Sequence, residues 1–292
     1  MKKVYLYAMI WSLFSCDKSP KMLNPAVSMP EYESTPQTFV LPNFVLDEAS
    51  GLCDSKSMEG KIWVNEDSGN PSILHLLNHN GRYEGNIQLP FPNRDWEDMT
   101  IVKNPIDGKN YVYIADIGDN AATYNNEYYL YKFIEPKSIN ETVTNYERIK
   151  FSYPDGSRDA EAFLVDPQTN DIYIVTKRES KVKIYQLSYP QSIEIKQTAE
   201  FIKEVDNKFI TSGEISTDGK EIVLKSYLAT FYWYRKSNES IESVFSRNAD
   251  KVLSIRQEVQ EEGVCFEKNG KGIFSIGERN GETFSLYFFR KK

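Results

Sequence analysis

From Ser50 onward, short apolar strands alternate with turn signals, in a unit that returns five times. Each unit opens on a polar residue ahead of an apolar stretch: "SGLCD" at Ser50, "EDMTI" at Glu97, "EAFLV" at Glu161, "EISTD" at Glu214 and "EGVCF" at Glu262. A more strongly apolar stretch follows: "KIWVNEDS", "NYVYIADIG", "DIYIVTKR", "EIVLKSY" and "GIFSIGER". Turns of the "DPQTND" and "STDGKE" kind join the two, as hairpins require. Third, alternating strands are "SILHLLN", "EYYLYKF", "KVKIYQL", "ATFYWYRK" and "TFSLYFF". "YEGNIQL", "YERIKFSY", "TAEFIKEV" and "SIESVFS" supply a more polar fourth strand in the first four units. The intervals are 47, 64, 53 and 48 residues, the long one carrying the loop-like insertions "NPIDGKN" and "GDNAATYNNE". Four antiparallel strands at this period predict propeller blades.

The fifth unit lacks a fourth strand, and "QTFVLPN" at residues 37–43 has no other partner. Pairing it with residues 283–290 closes the ring. The pattern therefore predicts an all-β, five-bladed β-propeller spanning residues 37–292. The alternative, a six-bladed ring, needs a further blade hidden between Glu97 and Glu161.

Composition agrees with strands: aromatics are 13%, with 19 Tyr and 16 Phe. The net charge of −7 with no basic stripe argues against nucleic acid and makes a cation the easier partner. A monomer is expected.

Ahead of the repeats, Lys2 and Lys3 precede an apolar run from Val4 to Phe14 that is too short to span a bilayer but fits a signal peptide. "LFSC", ending at Cys16, resembles the bacterial lipobox. It implies cleavage after residue 15, lipidation of Cys16 and residence in the bacterial cell envelope, with the outer membrane expected. A plain secretory signal is the alternative. Residues 16–36 hold four Pro and no apolar period, and read as a flexible tether. Cys53 and Cys265 sit in strand patterns and read as free, buried thiols.

The opening residue of each innermost strand should stand at the mouth of the central channel. Ser50, Glu97, Glu161, Glu214 and Glu262 then form a ring of mostly like charges, which is costly unless a cation offsets it. The structural alternative is that each merely accepts backbone N–H groups from the next blade. Asp116, Asp119 and Asn120, with Gly118 allowing a tight turn, are hard oxygen donors on the same face and suit Ca²⁺. Glu66 or Asp67, in the equivalent loop of unit one, could reach the same ion. Lys177, Lys225 and Arg279 occupy the equivalent loops of the last three units and could pair with the acids or hold an anion. His75 and His79 lie away from the acidic slots, so a His-based metal site or triad is not expected.

"DEASGLCDSKSMEGKIWVNEDSG", "WEDMTI", "YIADIGDN" and "RDAEAFLVDP" together resemble motifs of the phytase-like and SdiA-regulated-like secreted bacterial propellers. The resemblance spans about residues 44–292. It implies an acidic propeller face and does not by itself imply catalysis. The dense acidic runs that Ca²⁺-dependent phytases need are missing. The expected function is an envelope-anchored module that binds a cation, a small ligand or an envelope protein at the channel mouth. The alternative is a Ca²⁺-dependent hydrolase, phosphoesterase before glycosidase.

Overall fold

A computed structural model describes residues 29–42, 45–253, 255, 261–279 and 284–292. The proposed signal peptide, Cys16 and most of the tether lie outside them.

Five antiparallel sheets form five blades. Blade one runs outward through β2 (Ala49–Asp54), β3 (Lys61–Glu66), β4 (Ile73–Asn78) and β5 (Tyr83–Gln88), after the separate strand β1 (Gln37–Val40). Blade two holds β6 (Trp96–Lys103), β7 (Asn110–Asp116), β8 (Tyr128–Ile134) and β9 (Glu147–Ser152). Blade three holds β10 (Ala160–Val165), β11 (Ile172–Thr176), β12 (Val182–Leu187) and β14 (Glu200–Val205); the short β13 (Gln197–Thr198) pairs in parallel with β9 instead. Blade four holds β15 (Ile210–Ile215), β16 (Glu221–Ser226), β17 (Thr230–Tyr234) and, after helix α1 (Ile241–Phe245), β18 (Lys251–Leu253). Blade five holds β19 (Glu261–Phe266), β20 (Gly272–Gly277) and β21 (Ser285–Arg290), and β1 completes it. The pairing of β1 with β21 is antiparallel, Gln37 opposite Phe288 and Val40 opposite Ser285, so the two ends of the chain close the ring.

The innermost strands β2, β6, β10, β15 and β19 contact one another in chain order around the axis. An apolar cluster fills each of the five blade junctions. Trp63 and Trp96, both fully buried, lie in the cluster between blades one and two. Burying one such side chain stabilises by roughly 1.5–3 kcal/mol. The junctions therefore hold the ring together, and each blade depends on its neighbours.

Two expectations change here. "SIESVFS" is not a strand: Ser240 caps α1 by accepting from the Ser243 N–H at 3.2 Å, and Ile241, Val244 and Phe245 bury one face. That spacing of i, i+3 and i+4 suits one helical turn, and Phe245 meets Trp233 edge-on at 5.3 Å. The outer strand of blade four is β18. The tether also ends earlier than residue 36. Tyr32 is buried and bridges to Lys291, its hydroxyl donates to Glu221 Oε2 at 2.7 Å, and the Glu33 N–H bonds the Arg290 carbonyl.

Candidate functional site

Every innermost strand carries a β-bulge just after its start, one extra residue against its neighbour. Bulges bend a strand and re-aim the side chain at that point. Aligned on the bulge, the equivalent residues are Ser50, Glu97, Glu161, Thr211 and Glu262. The expected ring is thus corrected at blade four, where Thr211 takes the place assigned to Glu214. Glu214 is three residues further along β15, deeper in the channel. Its carboxylate accepts from the Phe266 N–H, and burial pushes it up to about 7 despite the nearby Lys56.

At the mouth, Asp67, Asp95 and Glu97 each place a carboxylate oxygen within 4.8 Å of the other two. Oxygens that close can share one cation whose metal–oxygen distances are about 2.3–2.6 Å. Two chain segments deliver them. Asp67 follows β3, Asp95 precedes β6, and Glu97 is the bulge residue of β6. Asn93 ties the two segments together: its Nδ2 donates to the Glu66 and Asp67 carbonyls at 3.1 and 2.8 Å, and its Oδ1 accepts from Trp96 N–H at 3.1 Å. The loop after β7 packs against them, where Ile117 and Gly118 donate their N–H groups to the Asp95 carbonyl. A Cβ on Gly118 would run into the Glu97 carboxylate and come within 2.7 Å of Asp95 Cγ. Glycine is needed there because the carboxylates lie directly on its backbone.

The cluster is electrostatically costly as it stands. Burial first, then Glu161, Asp67 and Asp95, hold the Glu97 carboxyl well above the usual range. Burial pushes Asp67 up to about 6 even though the Ser68 N–H favours its ionised form, with Asp95 adding to the rise. Asp95 is raised by burial and by Asp159, despite its bond from Ser68. A divalent cation would reverse each of these shifts.

Beside the three acids, a polar chain crosses blades three to five. Lys177 Nζ pairs with Glu161 and donates to Tyr227 Oη at 2.9 Å, and Tyr227 donates to Glu262 Oε1 at 2.6 Å. Burial pushes Glu262 up to about 7, against the bond from Tyr227. The mouth therefore has an acidic side on blades one and two and a lysine-centred side opposite it.

Of the expected ligands, only Asp67 lies in the cluster. Asp116 is fully buried and ion-paired with Arg94 at 3.0 Å, the Arg94 guanidinium lying 3.9 Å above the Tyr124 ring. Asp119 folds its own loop, accepting from Thr123 N–H at 2.6 Å and Tyr128 hydroxyl at 2.9 Å. Asn120 accepts from Arg178. Lys225 is wholly buried on β16, opposite Ser212. Arg279 pairs with Asp47 at 2.8 Å on the seam between blades one and five.

Asp95 and Tyr227 were not expected. "DWED" put Asp95 two residues ahead of Glu97, so its signal was in the sequence; Tyr227 had none. Cys53 and Cys265 are free and buried, as their strand patterns imply. No protein-family model matches the chain and no curated protein matches it.

Proposed function

We propose that the protein is a propeller that holds a divalent cation at its channel mouth and uses it to bind a small ligand, acting as a receptor or scaffold of the bacterial envelope. The observation that carries this reading is the convergence of Asp67, Asp95 and Glu97 oxygens within 4.8 Å on a backbone that leaves no room for a Cβ at Gly118. Ca²⁺ is the ion that hard carboxylate oxygens at this separation suit best. Three protein carboxylates leave several of its six to eight positions for water or for ligand atoms. Lys177, across the mouth, supplies a cation toward an anionic group on that ligand. Membrane attachment through Cys16 and kinship with secreted bacterial propellers belong to the same proposal, and rest on the sequence alone. Among the described residues no helix is long and apolar enough to cross a membrane.

Thermal unfolding with and without Ca²⁺ tests this. Binding to the folded state at a hundredfold excess over Kd should add about 2.7 kcal/mol, and Glu97→Gln and Asp95→Asn should abolish the rise. No shift with Ca²⁺, Mg²⁺ or Mn²⁺ would leave the acids as structural groups. Hydrolysis of phosphoesters, lost in the same variants, would replace binding by catalysis.

A further inference from the structure

On the face opposite the acidic mouth, the turns of blades one and five border a cavity of about 860 Å³. Its size falls in the range of small-molecule sites. Its floor is a row of rings. His79 lies 4.6 Å from Phe274, and Phe274 lies 4.6 Å from Phe288, with Phe39 of β1 beside them. His79 does not turn freely, because its Nε2 lies 2.7 Å from Asp54 Oδ1, and the other Asp54 oxygen accepts from the Lys268 N–H at 2.7 Å. A carboxylate in that position takes the Nε2 hydrogen and fixes the plane of the ring against Phe274.

The charge of the rim is one-sided. Glu59 and Glu267 line the cavity, but Glu59 is paired with Lys268 at 2.9 Å, and Glu267 accepts from Asn269 and from the Lys271 N–H at 3.0 Å. The side chains of Lys271 and Arg290 are exposed and make no ion pair among the described residues. In a protein of net charge −7, two cations over an aromatic floor are a local reversal of sign.

We propose that this cavity is a second ligand site, for a small organic anion with a flat apolar body. The flat body of the ligand would pack against the tilted rings of Phe274 and Phe288, and its carboxylate or phosphate would meet Lys271 and Arg290. The site is separate from the acidic mouth and does not depend on a metal.

Ligand-observed NMR on the full chain tests the site with three probes of one shape: 2-naphthoate, 2-naphthyl phosphate and 2-naphthylmethanol. At least one anion should bind saturably with a Kd of about 1 mM or tighter, and the neutral alcohol at least about tenfold more weakly. Whichever anion binds better identifies the headgroup. The chain has only two histidines, so their ring signals are assigned by one His79→Gln variant. The His79 signals should move on titration and those of His75 should not. The double variant Lys271→Glu, Arg290→Glu should lose about tenfold or more in affinity for the anion. Equal binding of the alcohol, an unmoved His79, or undiminished binding by the double variant would overturn the proposal. The probe comparison and the His79 shifts are read on the unaltered protein, so they decide the matter even if the double variant misfolds.

Discussion

Ser212 of blade four donates its hydroxyl hydrogen to Asp98 Oδ1 of blade two at 3.1 Å, across the channel axis. The second Asp98 oxygen accepts from the Gly213 N–H at 3.0 Å, and Ser212 Oγ accepts in turn from Val264 N–H of blade five. One carboxylate thus braces three blades, and burial holds its own affinity for a proton well above normal. Asp98→Ala leaves the Gly213 and Met99 N–H groups without acceptors in a dry interior. The expected loss is about 3 kcal/mol, read from urea unfolding.

Gly118→Ala should weaken Ca²⁺ binding without removing a ligand. Its Cβ occupies the space of the Glu97 and Asp95 carboxylates, and the backbone there needs no left-handed conformation. A rise of at least about tenfold in the Ca²⁺ midpoint of the thermal shift is expected. Asp116→Asn, by contrast, should leave that midpoint unchanged while destabilising the fold by about 1–3 kcal/mol through its bond to Arg94.

Stability should depend on pH through Glu214. Its folded carboxyl titrates at about 7 because of burial, against an ordinary value of 4.5. Between those values the folded chain keeps a proton that the unfolded chain releases. Stability therefore falls as pH rises from about 4.5 to 7, by on the order of 3 kcal/mol. Glu214→Gln removes this contribution. The difference between wild-type and variant unfolding free energies should change over that interval and be flat above pH 8.

Tyr32→Phe tests the clasp at the chain ends. The hydroxyl shares Glu221 with Tyr232, at 3.0 Å, and with Lys291, at 2.5 Å. Losing one bond to a charged acceptor should cost about 1–2 kcal/mol. Hydrogen exchange at the Glu33 N–H, which bonds the Arg290 carbonyl, should quicken with it.

The five-bladed ring and its closure by residues 37–40 were legible in the chain, because alternation, turn residues and repeat length are local signals. The helix at Ile241–Phe245 was not, since five residues offer one turn of periodicity and can be read as a strand. Glu214 was misplaced for a related reason. A sequence repeat aligned on similar letters does not show where a bulge inserts its extra residue, and register decides which side chain reaches the mouth.

Residue chemistry along the chain determined that this protein is an acidic ring of antiparallel blades, with Glu97, Glu161 and Glu262 at corresponding positions. Only the tertiary structure decided which acids work together. Asp67 and Asp95 are 28 residues apart and come within reach of Glu97 through Asn93 and the Gly118 loop, while Asp116 and Asp119, closer together in sequence, are turned to Arg94 and Tyr128. A carboxylate takes the nearest donor that the packed blades present to it, and that neighbour is set by the fold.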